Sequence, residues 1–484
     1  MSLKKIVLDT AAMSSVNMLR ILAQFIAVPV LSRLLSPADY GIVGIAMPFI
    51  LFAMMLADAG IGMSLVRTPA SDREEWSTCF WLTVLFGGIL AFVTAAFAPL
   101  AATLFDEPAL RAILTALALV IFGQAVFLIP RAAQQQGHQF RIIAVTEIVS
   151  ITTGLATAVL IAVAGGGAWA LVGQQLVFFA LRLSLTLWFS PFRPLLVFDF
   201  PRAVEHLTFG RDLLGTSVAG FVTRSLDTLI IGKMLGVAAV GIYSMAFQFA
   251  RLPILLISGP LQYVLYAQLV KLKHDNEAVG RAFFAVTRIL AIVVFPAVGM
   301  VSAAHEPVFN LLLSNKWEDA GNMFMLVAPA CALQAVISIG STVRMAVGRT
   351  KMILWTTIEF GVVWIITLLV AVRFGLEWVA VSYSMAALLY WPRAFILLDQ
   401  PVVGGSIVSY LRTLAVPLVV TGVGMAAYTT VNHIWYLSEL CQLLLGGTTA
   451  LTGIAASTFL QRAVLQREVN ALRLTLHALP SLAS

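Results

Sequence analysis

Apolar residues run in blocks of roughly twenty along nearly the whole chain, and short polar or basic intervals separate the blocks. A helix needs about that length to cross the hydrocarbon of a bilayer. Strands of a membrane barrel would be shorter and would alternate apolar with polar positions. The pattern predicts fourteen membrane helices, at about 13–34, 41–65, 80–103, 110–130, 143–164, 168–190, 210–232, 240–265, 283–304, 321–343, 353–372, 378–398, 409–430 and 438–460. The first block is interrupted by Arg20 and Gln24 and runs on to about Leu35. That is too long for the core of a cleavable signal, so it reads as the first span.

Composition gives the same class. Of 484 residues, 60% are hydrophobic and 11% charged, whereas a soluble domain carries about 25% charged residues. The expected fold class is an all-α polytopic membrane protein. Of the 30 Lys and Arg, an N-terminus placed inside leaves twenty on inner segments and five, Arg33, Arg111, Lys233, Lys316 and Arg373, on outer loops. Five more, Arg20, Arg182, Arg224, Arg251 and Arg288, fall within the proposed spans. That split follows the positive-inside rule, with both termini cytoplasmic. The net charge of +7 is then a topology signal, and nucleic acid has no place as a partner.

A repeat appears at an offset of 200: RLLSPADYGIVGIAMPF (33–49) aligns with KMLGVAAVGIYSMAFQF (233–249). Leu35, Ala38, Gly41, Ile42, Ala46 and Phe49 recur as Leu235, Ala238, Gly241, Ile242, Ala246 and Phe249. Six spans lie between the copies, so both point the same way across the membrane, as in a parallel repeat about an axis along the membrane normal. The expected organisation is a six-helix lobe over 1–190, a cytoplasmic linker over 191–209, a second six-helix lobe over 210–400, and two extra helices with a cytoplasmic tail over 401–484. The linker region, SPFRPLLVFDFPRAVEHLTFGR (190–211), reads as interfacial with an amphipathic stretch.

Charges inside spans are the candidate chemistry, because each costs about 2.5–3.5 kcal/mol at the bilayer centre. TSVAGFVTRSLDTLIIGKMLG (216–236) holds Arg224 and Asp227, three apart and on one helix face. Under the repeat, position 24 maps to 224, so Arg20 and Gln24 in the first helix lie at the depth of Arg224 in the seventh. Polar groups at one depth in both lobes suit a central cavity. The alternative is that Arg224 and Asp227 neutralise each other and lock helices together. Asp58, in ADAGIG, either caps a break before Gly60 and Gly62 or faces the cavity. Glu147, Arg182 and Arg288, near span ends, are expected to snorkel to the inner surface.

Other chemistry is thin. Cys79, Cys331 and Cys441 read as small buried apolar residues. The six histidines are scattered without metal spacing, so no metal or cofactor is expected. No G-x-x-x-x-G-K-[ST] occurs. The glycines 165–167 read as a tight outer turn.

LSRLLSPADYGIVGIAMPFILFAMMLADAGIGMSLVR (31–67) strongly resembles the Wzx-like oligosaccharide flippases of bacterial polysaccharide synthesis, in the multidrug/oligosaccharidyl-lipid/polysaccharide exporter superfamily. FGRDLLGTSVAGFVTRSLDTLIIGKMLGVAAVGIYSMAFQFARLP (209–253), SNKWEDAG (314–321) and VRMAVGRTK (343–351) agree, and the colanic-acid and exopolysaccharide exporter type is the nearest in pattern. The resemblance covers roughly residues 5 to 460. It implies two bundles around a cavity that opens alternately to each side of the bacterial inner membrane. It also implies a cargo of undecaprenyl-diphosphate-linked oligosaccharide, made on the cytoplasmic face and needed on the periplasmic face, for exopolysaccharide or lipopolysaccharide synthesis. Arginine pairs well with phosphate, so Arg20, Arg224 and Arg251, with Gln24, are the expected cargo contacts. Asp58 and Asp227 are the expected ion-coupling or charge-partner groups. Partners implied are membrane lipids and the polymerase and chain-length or export proteins of the same pathway.

Three alternatives stand beside this reading. A multidrug or cation antiporter of the same superfamily would take cationic cargo, which arginines would repel. A peptidoglycan lipid precursor flippase would handle nearly the same lipid. A pathway enzyme would need an acidic or histidine site on a large outer loop, and the outer loops here are short, so an enzyme is not expected.

Overall fold

The computed structural model describes residues 27–58, 72–199, 225–272, 275–435 and 437–478, with the isolated positions 23, 61, 65, 201, 204, 218, 220 and 221. All regular structure among them is helical. Twelve helical segments are long and apolar enough to cross a membrane. Of the other two predicted spans, 13–34 and 210–232, only fragments are described, with helix over 27–34 and 225–235.

Contacts divide the chain into two compact units, Met1–Gly241 and Ile242–Ser484. In the first, α1 (Pro37–Asp58), α2 (Arg73–Leu104), α3 (Ala109–Gln136), α4 (Phe140–Val163) and α5 (Trp169–Phe189) follow one another. The start of α1 is written in four residues. Ser36 and Asp39 form a reciprocal cap, with Ser36 N donating to Asp39 Oδ2 at 2.8 Å and Asp39 N to Ser36 Oγ at 3.2 Å. Pro37 occupies the first turn, where its missing N–H costs nothing. Asp72 caps α2 by accepting from Glu75 N at 3.1 Å.

α6 (Val237–Ala250) leaves the first unit and opens the second. It begins 200 residues after α1, and positions 36 and 236 are both non-helical, so the repeat recurs in the element boundaries. The second unit continues with α7 (Gly259–Leu272), α8 (Asn276–Ala303), α9 (His305–Leu312), α10 (Glu318–Ile337), α11 (Ile339–Ala346), α12 (Thr350–Ala371), α13 (Leu376–Ala394), α14 (Ile407–Trp435) and α15 (Glu439–Ala478). Two π-helical turns interrupt spans here, Ile254–Ser258 next to Pro253 and Phe395–Asp399 three residues after Pro392. A proline removes a backbone donor, and a widened turn is one way for a helix to absorb the loss.

Side-chain exposure has the pattern of a protein solvated by lipid. Phe92, Leu160 and Val163 are each about 70% exposed on apolar helices, which water would penalise and hydrocarbon does not. The alternation of faces is self-consistent within each unit. Lys233 pairs with Asp106 at 2.9 Å, and both lie on segments assigned to the outer side. Asn310 bonds Glu439 at 3.3 Å, another outer–outer contact. Arg288 pairs with Glu468 at 3.1 Å, an inner–inner contact.

Several expectations change. Residues 190–199 of the linker are an extended strap, and most of 200–211 lies outside the described residues. Leu195 N donates to Ser77 Oγ at 2.9 Å, Trp81 Nε1 to Leu195 O at 2.7 Å, and Asp199 N to Thr78 Oγ1 at 3.0 Å. Prolines at 191 and 194 exclude a helix here, and Phe192 seats the strap among Trp76 and Phe80. The last helix extends to Ala478, past the predicted span limit near 460, and Arg288 binds its Gln461 and Glu468. Cys79 and Cys331 are buried, but Cys441 is exposed on α15. The glycine turn is as expected, with Gly165 and Gly167 at φ 79° and 52°.

Candidate functional site

Of the six residues assigned to cargo or coupling, Arg20, Gln24 and Arg224 lie outside the described residues. Asp227 is described and buried, at 4% exposure. Its Oδ1 accepts from Thr228 N at 2.7 Å and Thr228 Oγ1 at 3.3 Å. Asp58 closes α1 and is half-buried, while the neighbouring glycines at 60 and 62 are outside the described residues. Arg251 follows α6 in the second unit and is exposed. Its guanidinium lies over the Phe247 ring, 5.4 Å from the centroid, just before the Ile254–Ser258 π turn. Stacking on a ring holds a guanidinium without consuming its donors.

The charges expected to snorkel do not. Glu147 on α4 is 8% exposed and binds Arg182 on α5, with Nε and Nη2 at 2.9 and 2.8 Å from Oε1. Arg131 on α3 approaches the same oxygen at 3.5 Å, and Phe127 lies under the Arg182 guanidinium at 4.1 Å. Arg288 likewise turns inward: its Nε and Nη2 grip both oxygens of Glu468 at 3.1 Å, and Nη1 reaches Gln461 at 3.2 Å. Where a carboxylate stands within reach, pairing inside the fold replaces the longer route to water.

The second unit holds further arginine–carboxylate pairs, two of them between helical segments far apart in sequence. Arg344 on α11 pairs with Asp399 at the end of the second π turn, both about 7% exposed. Gly340 leaves the room, since a methyl there would collide with the Asp399 carboxylate. Arg393 on α13 binds Glu359 on α12 at 2.7 Å, and Tyr390 donates to the same carboxylate at 3.1 Å. Asp399 escaped the sequence reading because it follows a predicted span end at 398 and precedes Gln400-Pro401, which reads as loop. An apolar cavity of about 340 Å³ also lies in this unit, between α8, α10, α13 and α14, with Phe295, Leu333, Trp391 and Met425 in its wall.

These features describe a helical membrane protein with several arginine–carboxylate pairs among its described residues, without stating what it carries. Residues 30–322 match the family model described as "Polysaccharide biosynthesis protein". The chain belongs to this family. Among its relatives, the succinoglycan biosynthesis transport protein ExoT of Rhizobium meliloti (strain 1021) is 26% identical over 368 residues, 76% of this chain and 73% of that one. The lipopolysaccharide biosynthesis protein WzxC of Escherichia coli (strain K12) is 23% identical over 430 residues, 86% of each chain. In fold, this member of the family is similar to the lipid II flippase MurJ in its inward closed conformation, with a TM-score of 0.74 at 15% identity, covering 95% of this chain and all of that one. It is also similar to an inward-facing multidrug resistance MATE family transporter, with a TM-score of 0.64 at 14% identity over 81% of this chain and 98% of that one. The chain is therefore a multi-pass membrane protein of the polysaccharide-biosynthesis family with the fold that MurJ and MATE transporters share.

Proposed function

We propose that this protein is a flippase that moves undecaprenyl-diphosphate-linked oligosaccharide repeat units from the cytoplasmic to the periplasmic face of the bacterial inner membrane, with both its own termini cytoplasmic. The observation that carries the reading is the family match over residues 30–322 on a chain with twelve described membrane-length helices. Sequence relatives bear names from several polysaccharide pathways. Such polymers differ in sugar but share a need to bring a lipid-bound precursor across the bilayer. Likeness to the peptidoglycan-precursor and multidrug transporters is in fold only, and the sequence relationships favour polysaccharide cargo.

In this reading two six-helix lobes, 1–190 and 210–400 with the linker 191–209 between them, alternate access, and 401–484 adds two helices. Arg20, Arg224 and Arg251, with Gln24, contact the diphosphate, because guanidinium forks match phosphate oxygens. Asp227 and Asp58 supply the charge that changes during the cycle. Polymerase and chain-length or export proteins of the pathway receive the product.

The test is complementation of a deletion strain by wild-type, Arg224→Ala or Arg224→Lys chains of confirmed membrane insertion. Lipid-linked repeat is assayed on each membrane face, together with secreted polymer. The expected result is repeat trapped inside with Ala and partial rescue with Lys. Normal export by the Ala chain removes Arg224 from the cargo path, and undiminished polymer in the deletion strain itself refutes the flippase reading.

A further inference from the structure

α3, α4 and α5 bring polar side chains together near one end of the first unit. Phe127, Arg131 and Gln134 are four and three residues apart and share one face of α3; Phe127 and Arg131 meet Arg182 and Glu147 across it. Within this cluster two guanidiniums face one carboxylate, and Glu147 Oε1 receives both. The second unit is built differently, since Arg344 has Asp399 and Arg393 has Glu359. Among the described residues of this cluster, Arg131 shares its carboxylate with Arg182. Its Nη1 is buried and has no hydrogen-bond partner among the described residues.

A second observation points the same way. Gln134, one turn further along that face, is fully buried, and neither its amide oxygen nor its nitrogen has a partner among the described residues. The buried hydroxyls of Ser150, one turn after Glu147, and Thr186, one turn after Arg182, are in the same condition. A buried polar group left unbonded costs about 1–3 kcal/mol, and more when charged. Arg131 and Gln134, one turn apart on α3, leave buried donors unmet among the described residues, as do the Ser150 and Thr186 hydroxyls on the adjoining helices. Arg Nη1, the Gln amide nitrogen and two hydroxyls are donors in search of acceptors.

We propose that this cluster is a phosphate-binding site, separate from the cargo arginines. A phosphate group supplies several acceptor oxygens and the negative charge that Glu147 alone does not, and arginine recognises it with short charge-assisted bonds. Arg131 is five residues from the end of α3, roughly 8 Å along the axis. That depth is within reach of the polar boundary of the bilayer, which surrounds a hydrocarbon core of about 30 Å. The phosphate is therefore that of a phospholipid headgroup at this boundary, or a free phosphate or diphosphate from the water.

The test uses the full-length chain, purified and delipidated in detergent, as wild type, Arg131→Gln, Arg131→Lys and Gln134→Leu. Native mass spectrometry reads retention of dioleoyl phosphatidylglycerol. Thermal stability is read with and without inorganic phosphate or diphosphate. The expectation is one tightly held phosphatidylglycerol or a phosphate-dependent rise in melting temperature, weakened about tenfold in affinity by Arg131→Gln, as loss of one charged hydrogen bond implies. Arg131→Lys restores part of it. Gln134→Leu separates binding from packing: it removes two unbonded buried atoms, so its ligand-free stability holds or rises while its response to ligand falls. Retained lipid that millimolar phosphate does not displace assigns the headgroup, and stabilisation by phosphate in lipid-free protein assigns the free anion. A wild-type chain with neither response overturns the proposal. So does a Gln134→Leu chain that responds as wild type does, whether or not the Arg131→Gln chain folds.

Discussion

Gly41 and Gly241 each face the first turn of the other's helix: a methyl on Gly41 would overlap the Val237 carbonyl, and one on Gly241 would overlap the Pro37 carbonyl. Both pairs differ by the 200-residue repeat, so the relation is reciprocal, as at a two-fold crossing. Any side chain at either position must push backbones apart, and overpacking of this kind costs about 1–3 kcal/mol. Gly41→Ala and Gly241→Ala should each lower the melting temperature of the detergent-purified chain. Gly422→Ala, with open space around its Cβ, should leave it unchanged or raise it. Equal behaviour of all three would mean that the helix starts are not in contact.

The Arg344–Asp399 pair predicts a non-additive result. Removing one partner from a buried pair leaves an uncompensated charge and costs about 3–5 kcal/mol, whereas replacing both with apolar groups is often neutral. Asp399→Leu and Arg344→Met should each destabilise severely, and the double variant should recover most of the loss. Thermal melts of the four chains form the cycle. A double variant as unstable as the sum of the singles would show that the two residues do not act on each other.

These two cases mark what was legible in the sequence. Spans, their alternation and the 200-residue repeat follow from the apolar blocks and the recurring residues; the helix starts at 37 and 237, a few residues before the expected 41 and 240, do not. Nor do the pairings. Glu147 and Arg182 are 35 residues apart, and Arg288 and Glu468 are 180 apart; sequence shows each charge and its depth but not which helices adjoin. Snorkelling was the natural expectation for a lone charge near a span end, and it failed wherever a neighbouring helix supplied the opposite charge. Arg251 was legible as an intramembrane cation, but its place on the Phe247 ring was not.

The pair Lys233–Asp106, on segments expected to face outward, offers a topology check. Its polar atoms are 2.9 Å apart and the side chains are 46% and 81% exposed, so removing the charge itself should cost little. Paired cysteines, introduced in a chain free of its native ones, should cross-link under mild oxidation. A membrane-impermeant thiol reagent added to intact cells with a permeable outer membrane should label either single cysteine. Labelling only after the inner membrane is broken would invert the orientation.

Arg288 ties the extended end of α15 to α8 by three hydrogen bonds, from Nε and Nη2 to Glu468 and from Nη1 to Gln461. Both charged side chains are largely buried, at 12% and 18% exposure. Glu468→Ala should release the helix end while leaving the membrane-embedded part of α15 in place. Limited proteolysis should then cut beyond about residue 461 several times faster than in wild type, with little change elsewhere. The charge-swapped double variant Arg288→Glu with Glu468→Arg should restore much of the protection. Protection unchanged in Glu468→Ala would show that packing alone holds the extension.

Asp227 accepts hydrogen bonds from its helix neighbour Thr228, and in the proposed cycle its charge partners Arg224 and the cargo in turn. A group with that role must exist in two charge states, and the neutral isostere removes one of them without changing shape. Asp227→Asn should fold with near wild-type stability, since an amide oxygen can still accept from Thr228, and should lose the dependence of export on the transmembrane pH gradient. Asp58→Asn, at the half-buried end of α1, is the matched comparison. Uptake of lipid-linked repeat into inverted vesicles, measured with and without an imposed gradient, reads the effect directly. Wild-type transport and wild-type gradient dependence in Asp227→Asn would remove Asp227 from coupling and leave Asp58 as the remaining candidate. Loss of transport at every gradient, with stability intact, would instead place Asp227 in the cargo path beside Arg224.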